Sequence, residues 1–202
     1  MEWKKIFKIP FALRRGFAHI FIGLSITIIA LFLPRVLFLS LLGTAAFLFL
    51  FLEFIRFISP KVNKWFCSFF SPILRTLETS HITGASYLLL ASLLSFLVFA
   101  RDIAVVSVCF LAVGDSLATI IGEGNNRRKL FKKTLDGDIV CLFACLIVGF
   151  ILHYVGLDVS LVEVGIGAII AAITEALPLP IDDNVTIPIF AGLVMTLIRF
   201  VS

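Results

Sequence analysis

Residues 16–33 read GFAHIFIGLSITIIALFL, residues 34 and 35 are Pro and Arg, and residues 36–57 read VLFLSLLGTAAFLFLFLEFIRF. These two apolar runs decide the fold class. About 20 helical residues cross a hydrocarbon core about 30 Å thick, and each run is close to that length. A proline beside a charge predicts a turn at Pro34 rather than one continuous rod. Five further runs repeat the pattern: Ile82–Ala100, closed by Arg101 and Asp102; Ile103–Ile121, carrying Asp115; Ile139–Leu157; Leu161–Leu177, carrying Glu175; and Val185–Phe200. The expected fold is all-α, a polytopic transmembrane helical bundle of about seven spans. It forms a single integral membrane domain over residues 1–202.

Composition agrees. The 202 residues are 60% hydrophobic and 15% charged, and 22 of them are Phe. A soluble domain carries about 25% charged residues, so lipid is the solvent that suits this chain. The net charge of +4 reflects basic residues flanking spans rather than a nucleic-acid surface. Cys67, Cys109, Cys141 and Cys145 form no Cys-x-x-Cys pair and read as small buried hydrophobes. The start is basic at Lys4, Lys5 and Lys8. Arg14 and Arg15 interrupt it before the first apolar run, so no cleavable signal peptide is expected.

Two connections are long. Ser59–His81 mixes Lys61, Lys64 and Arg75 with Trp65, Phe66, Phe69 and Phe70, which suits an amphipathic segment in the interface. Gly122–Asp138 is rich in Gly, Asn, Lys and Arg. With seven spans and a cytoplasmic N-terminus, both connections fall inside. Only Arg35, Arg101 and Arg199 of the 17 Lys and Arg then fall outside. The positive-inside rule therefore predicts a cytoplasmic N-terminus. It places the acidic turn Asp182-Asp183-Asn184 on the same cytoplasmic face.

Three constellations carry chemistry. The first runs from Gly114-Asp115-Ser116-Leu117-Ala118 through Gly122-Glu123-Gly124 to Lys132-Lys133-Thr134-Leu135-Asp136-Gly137. A carboxylate within an apolar helix is costly and calls for a cation. Glycines permit close backbone approach, and a basic loop supplies positive charge. Together these suit a magnesium-bound polyphosphate, although the same loop would also serve to orient the chain. The second is Glu175 with Pro178, Pro180, Asp182, Asp183, Asn184 and Pro188. It offers hard oxygen ligands, or equally an N-cap for the last helix. The third comprises Arg14, Arg15 and His19, then Glu53 and Arg56, then Glu78 before Thr83-Gly84-Ala85. Glu53 and Arg56 stand i,i+3 and can pair with each other.

The spacing Gly114-Asp115-x-x-Ala118-x-x-x-Gly122, followed by Lys133-Thr134-x-Asp136-Gly137, resembles the signature of CTP-dependent lipid-alcohol kinases. That group includes dolichol, phytol and farnesol kinases and the CTP-dependent diacylglycerol kinase of fungi. Glu175…Pro178…Asp182-Asp183-Asn184-x-x-x-Pro188 is similar to the group's later motif. Arg14-Arg15-x-x-x-His19, Glu53-x-x-Arg56 and Glu78…Thr83-Gly84-Ala85 match in order and rough spacing. Asp136 departs from the more usual Glu. The first motif is shared with phosphatidate cytidylyltransferases. Their longer Gly-, Arg- and Asp-rich signature before the last span is missing from this chain, which favours the kinase side.

The resemblance implies phosphoryl transfer from CTP, with Mg2+, to the hydroxyl of a polyprenol, a phytol-like alcohol or diacylglycerol. Asp115 and Asp183, with Asp182, would hold the metal. Arg15, Lys132 and Lys133 would contact phosphate, with Gly122, Gly124 and Thr134 beside the nucleotide. Glu175 or Glu78 would orient or deprotonate the lipid hydroxyl. The expected partners are the lipid alcohol, the nucleoside triphosphate and the bilayer, with self-association left open and no nucleic acid. The competing readings are CMP transfer to a lipid phosphate and, outside enzymes, a transporter or channel with Asp115 and Glu175 on a cation path.

Overall fold

The computed structural model describes residues 10–124, 129–130 and 133–201. Lys4, Lys5, Lys8, Arg127, Arg128 and Lys132 lie outside them. The first two helices are α1 (Phe11–Phe32) and α2 (Arg35–Ile58). A proline disfavours helical geometry at the residue before it. Leu33 is accordingly extended (φ −95°, ψ 148°) and ends α1, and Pro34 caps α2. The turn expected at Pro34 is therefore present.

The interfacial connection holds α3 (Pro60–Phe70) and a 3-10 turn at Thr76–Thr79. Pro60 sits in the first turn of α3, where its missing N–H costs nothing. Phe66 faces inward, while Trp65 and Phe69 stack on the exposed side. Then come α4 (Gly84–Val98), α5 (Arg101–Cys109), a π-helical stretch (Phe110–Asp115) and α6 (Ser116–Gly124). Two paired strands, β1 (Lys129–Leu130) and β2 (Lys133–Thr134), lead into α7 (Leu135–Tyr154), α8 (Leu161–Ala176) and α9 (Asp183–Val201). This two-residue ladder is an addition to the all-α expectation.

Five helical segments are long and apolar enough to cross a membrane: α1, α2, the α5–α6 rod over Arg101–Gly122, α7 and α9. α4 is apolar but has 15 residues, and α8 has 16. At 1.5 Å per residue these reach about 22 and 24 Å. Their caps explain the shortness. Thr83 caps α4, its side chain accepting from the Ser86 N–H at 3.4 Å. Ser160 and Glu163 form a capping box that starts α8, and the Pro178 region follows its end.

The α5–α6 rod is the axis of the bundle. Ile103 through Ala112 are almost wholly buried, and α1, α4, α7, α8 and α9 pack around them. Close approach depends on glycine at two places. A Cβ at Gly23 would stand 2.3 Å from the Ala112 Cβ, and one at Gly114 would stand 2.6 Å from the Cys145 Sγ. Along α1, Gly16 faces Ile120 and Ser116, Gly23 faces Ala112, and Thr27 faces Cys109. The two rods therefore run antiparallel.

One end of the bundle holds the three sequence exceptions to the basic-residue asymmetry. Arg35 donates to the Phe96 carbonyl at the end of α4 (3.1 Å). Arg101 donates to the Ala30 carbonyl near the end of α1. Arg199 donates to Glu163 at 2.7 Å and to the Asp158 carbonyl. Each serves a helix terminus, where backbone groups lack intrahelical partners.

Candidate functional site

The opposite end gathers the sequence motifs. The starts of α1, α4, α7 and α9 meet there with the ends of α2, α6 and α8. Arg15, 6% exposed, donates from Nη1 to both oxygens of Glu78, at 2.8 and 2.9 Å. Glu78 also accepts the Gly84 N–H at 2.9 Å and the Arg75 N–H at 2.7 Å. Burial works against charge on Glu78. The Arg15 guanidinium and the two backbone donors outweigh it and hold the carboxyl below its usual range.

Gly84 is where the third constellation joins the second. A Cβ there would lie 2.5 Å from the Arg15 Nη2 and 3.3 Å from both the Asn184 Nδ2 and the Glu78 Oε1. Any side chain would displace this junction.

Glu53 and Arg56 form a second buried assembly. The Arg56 Nε and Nη2 reach the Glu53 Oε2 at 2.7 and 2.6 Å. The Glu53 Oε1 accepts from the Thr83 N–H, the Thr83 hydroxyl and the Ser86 hydroxyl, at 3.0, 2.7 and 2.9 Å. Arg56 continues to the His81 carbonyl at 2.6 Å and to the Asn63 Oδ1 at 3.1 Å, and lies over the Phe57 and Phe66 rings. The expected i,i+3 pair exists. It also ties α2, α3 and α4 together, a role that lies wholly in tertiary contacts.

Asp115 ends the π-helical stretch of the axial rod. Such π segments are concentrated at functional sites because they widen the backbone and re-aim side chains. Asp115 and Glu175 both act electrostatically on the buried Cys141 of α7, so both carboxylates lie near that side chain. Next to them, a Cβ at Gly122 would meet the Thr134 Oγ1 at 2.7 Å, and one at Gly137 would meet the Ala118 carbonyl at 3.0 Å. The family-like glycines thus bring α6 against the start of α7. Gly124 is the last residue of α6 and Lys133 lies in β2. Lys132 falls outside the described residues.

The acidic turn divides its labour. Asp182 caps α9, its Oδ1 accepting the Asn184 N–H at 3.0 Å and the Asn184 Nδ2 at 2.6 Å. Asp183 is the first residue of α9. A cavity of about 390 Å3 lies between Tyr87 and the 176–183 segment. Pro188 in α9 removes the N–H that would have bonded the Asn184 carbonyl.

Asp138 was not singled out in the sequence. It stands in the first turn of α7, and neither buried carboxylate oxygen has a hydrogen-bond partner among the described residues. The buried Ser116 Oγ and Asn184 Oδ1 are in the same condition. The signal for Asp138 was its place one residue after Gly137, at the mouth of an apolar span. The charge of Asp136 two residues earlier masked it.

Among the described residues, no three His, Cys, Asp or Glu side chains stand close enough to hold a metal by themselves. Magnesium characteristically takes one or two protein carboxylates and completes its shell with phosphates and waters. The carboxylates at this end, Asp115 and Asp183 among them, are hard oxygen donors of the kind that ion takes.

No protein-family model matches the chain. No solved structure matches it either. The chain is 28% identical over 177 residues to an uncharacterized protein of Rickettsia prowazekii, covering 85% of this chain and 87% of that one. It is 27% identical over 176 residues to CTP-dependent diacylglycerol kinase 1 of Saccharomyces cerevisiae, covering 74% of this chain and 60% of the yeast protein. It is also 27% identical over 176 residues to CTP-dependent diacylglycerol kinase 1 of Eremothecium gossypii, covering 75% of this chain and 56% of that protein. The match therefore spans a little over half the length of each fungal kinase.

Proposed function

We propose that this protein is a membrane-embedded lipid kinase that transfers the γ-phosphoryl group of CTP to the hydroxyl of a lipid alcohol. The similarity to two fungal CTP-dependent diacylglycerol kinases carries this reading. The gathering of Arg15, Asp115, Glu175, Asp183 and Asn184 at one end of the bundle supports it.

Phosphoryl transfer needs positioning and charge neutralisation more than covalent chemistry from the protein. Magnesium, when bound, neutralises triphosphate charge. Asp115 and Asp183 would hold it, since Asp182 is committed to capping α9. Arg15, Lys132 and Lys133 would contact phosphate oxygens, and Gly122, Gly124 and Thr134 would stand beside the nucleotide. Glu78 has its lone pairs engaged, so its role is to aim Arg15. Glu175 would orient the acceptor. The distribution of Lys and Arg supports a cytoplasmic location for this end, where soluble nucleotide and a headgroup-level hydroxyl meet.

The test is purified protein in lipid nanodiscs, given Mg2+ and either α- or γ-labelled CTP with a panel of polyprenol, phytol-like alcohol and diacylglycerol. γ-Label in the lipid is expected. α-Label would mean cytidylyl transfer. Ion flux in liposomes with no lipid product from any nucleoside triphosphate would mean a transporter.

A further inference from the structure

His19 belongs to none of the roles above, yet its placement is specific. It lies on the face of α1 that carries Gly16 and Gly23, three residues after one and four before the other. Gly16 packs on Ser116 and Ile120, and Gly23 packs on Ala112. His19 is therefore level with Asp115 and Ser116 on the axial rod. It is 9% exposed. A largely buried imidazole is expected to have a polar partner.

A second observation supplies one. His19 lines a cavity of about 90 Å3 between α1, α2, α3 and the segment leading into α4. Ile22, Phe49, Phe66, Phe70 and Leu74 make its walls apolar, and Arg15, His19 and Glu78 make one end polar. The space accepts a few carbon atoms with a polar group at their tip. α3, the amphipathic helix that forms one wall, belongs at headgroup depth.

Resting on the kinase reading, we propose that His19 is the proton acceptor for the lipid hydroxyl, which enters this cavity with its first chain carbons. The hydroxyl O–H bond breaks and its proton passes to an imidazole nitrogen. The freed oxygen bonds the γ-phosphorus as the bond from that phosphorus to the bridging oxygen breaks. The nucleoside diphosphate leaves with that electron pair. The carboxylates are poorer candidates for this step. Glu78 is saturated by Arg15, Arg75 and Gly84, and Glu175 is not among the residues that line this cavity. The charged groups that act on His19 are Arg15 on its own helix, Arg75 and Glu78 before α4, and Asp182 at the cap of α9. α2 and α3 present aromatic rings to the same cavity.

The experiment compares wild type, His19→Gln and His19→Asn in nanodiscs, with γ-labelled CTP and whichever lipid alcohol the wild type phosphorylates. The expected result is a kcat lowered by about 10²-fold or more, an unchanged KM for nucleotide and an unchanged Tm. The acid limb of the wild-type kcat profile should be lost in both variants, with partial rescue by added imidazole. Variants within about threefold of wild type that keep the acid limb would overturn the assignment and leave the kinase reading standing. A wild type that phosphorylates no alcohol with any nucleoside triphosphate overturns both. If both variants lose their fold, the wild-type profile decides: a single-proton acid limb supports His19, and a flat kcat refutes it.

Discussion

One nitrogen of Arg15 bridges both oxygens of Glu78, at 2.8 and 2.9 Å, across 63 residues of chain. Removing one partner of a buried ion pair strands the other charge and typically costs about 3–5 kcal/mol. Glu78→Ala should therefore lower the Tm in detergent by many degrees and abolish lipid phosphorylation. Arg15→Lys should do less harm to stability, because the charge stays and only the guanidinium geometry is lost.

The same pair sets an acid limit. The Glu78 carboxyl is held below its ordinary value of 4.5. Its contribution is full at pH above that value and is lost as the pH falls through the folded-state pKa. Thermal unfolding followed from pH 7 down to about pH 3 should show wild-type stability dropping toward that of Glu78→Gln. Parallel curves for the two proteins would contradict this.

Glu53 and Arg56 predict a non-additive cycle. Glu53→Leu and Arg56→Met should each destabilise by about 3–5 kcal/mol, because each leaves a buried charge alone. The double variant should recover part of that loss, giving a coupling of at least about 1 kcal/mol. Equilibrium unfolding of the four proteins measures it directly.

Asp115→Asn and Asp183→Asn keep shape and remove charge. Each should lower lipid phosphorylation by more than about 100-fold, a loss of about 2.7 kcal/mol in transition-state stabilisation, while Tm stays near the wild-type value. Asp182→Asn keeps a capping oxygen and should lose far less. Chelation of divalent cations should stop the wild-type reaction, and added Mg2+ should restore it.

Orientation needs a reporter other than Asn184-Val185-Thr186. This sequon reads as a topology probe, but Asn184 is 4% exposed and its amide is bonded to Asp182. In a Cys67→Ser background, Val155→Cys and Leu77→Cys occupy positions 70% and 74% exposed at opposite ends. A membrane-impermeant thiol reagent applied to intact cells should label the first and spare the second.

The apolar runs were legible because lipid imposes a length and a hydropathy that a single sequence displays, but of the seven expected spans five have helices long and apolar enough to cross, with α4 and α8 shorter. Helix ends at Pro34 and Ser160 were written in local chemistry. What escaped was tertiary. Nothing local says that Glu53 is shared by Thr83 and Ser86, or that Glu78 is spent on Arg15. Asp182 was legible as either ligand or cap, and only the bond from the Asn184 N–H assigns it to the cap. The π-helical stretch at Asp115 has no local sequence signature; it lies where Gly114 packs against Cys141 and Cys145. Asp138 passed as one charge among several in a polar connection.

The far-end arginines impose an order on biogenesis. Arg101 and Arg199 are synthesised after the helix ends that receive them, so each meets its acceptor on arrival. Arg35 is made 61 residues ahead of the Phe96 carbonyl. Until α4 is complete the α1–α2 hairpin lacks this contact, so the exposed Arg35 gains its backbone acceptor only once the fourth helix is made.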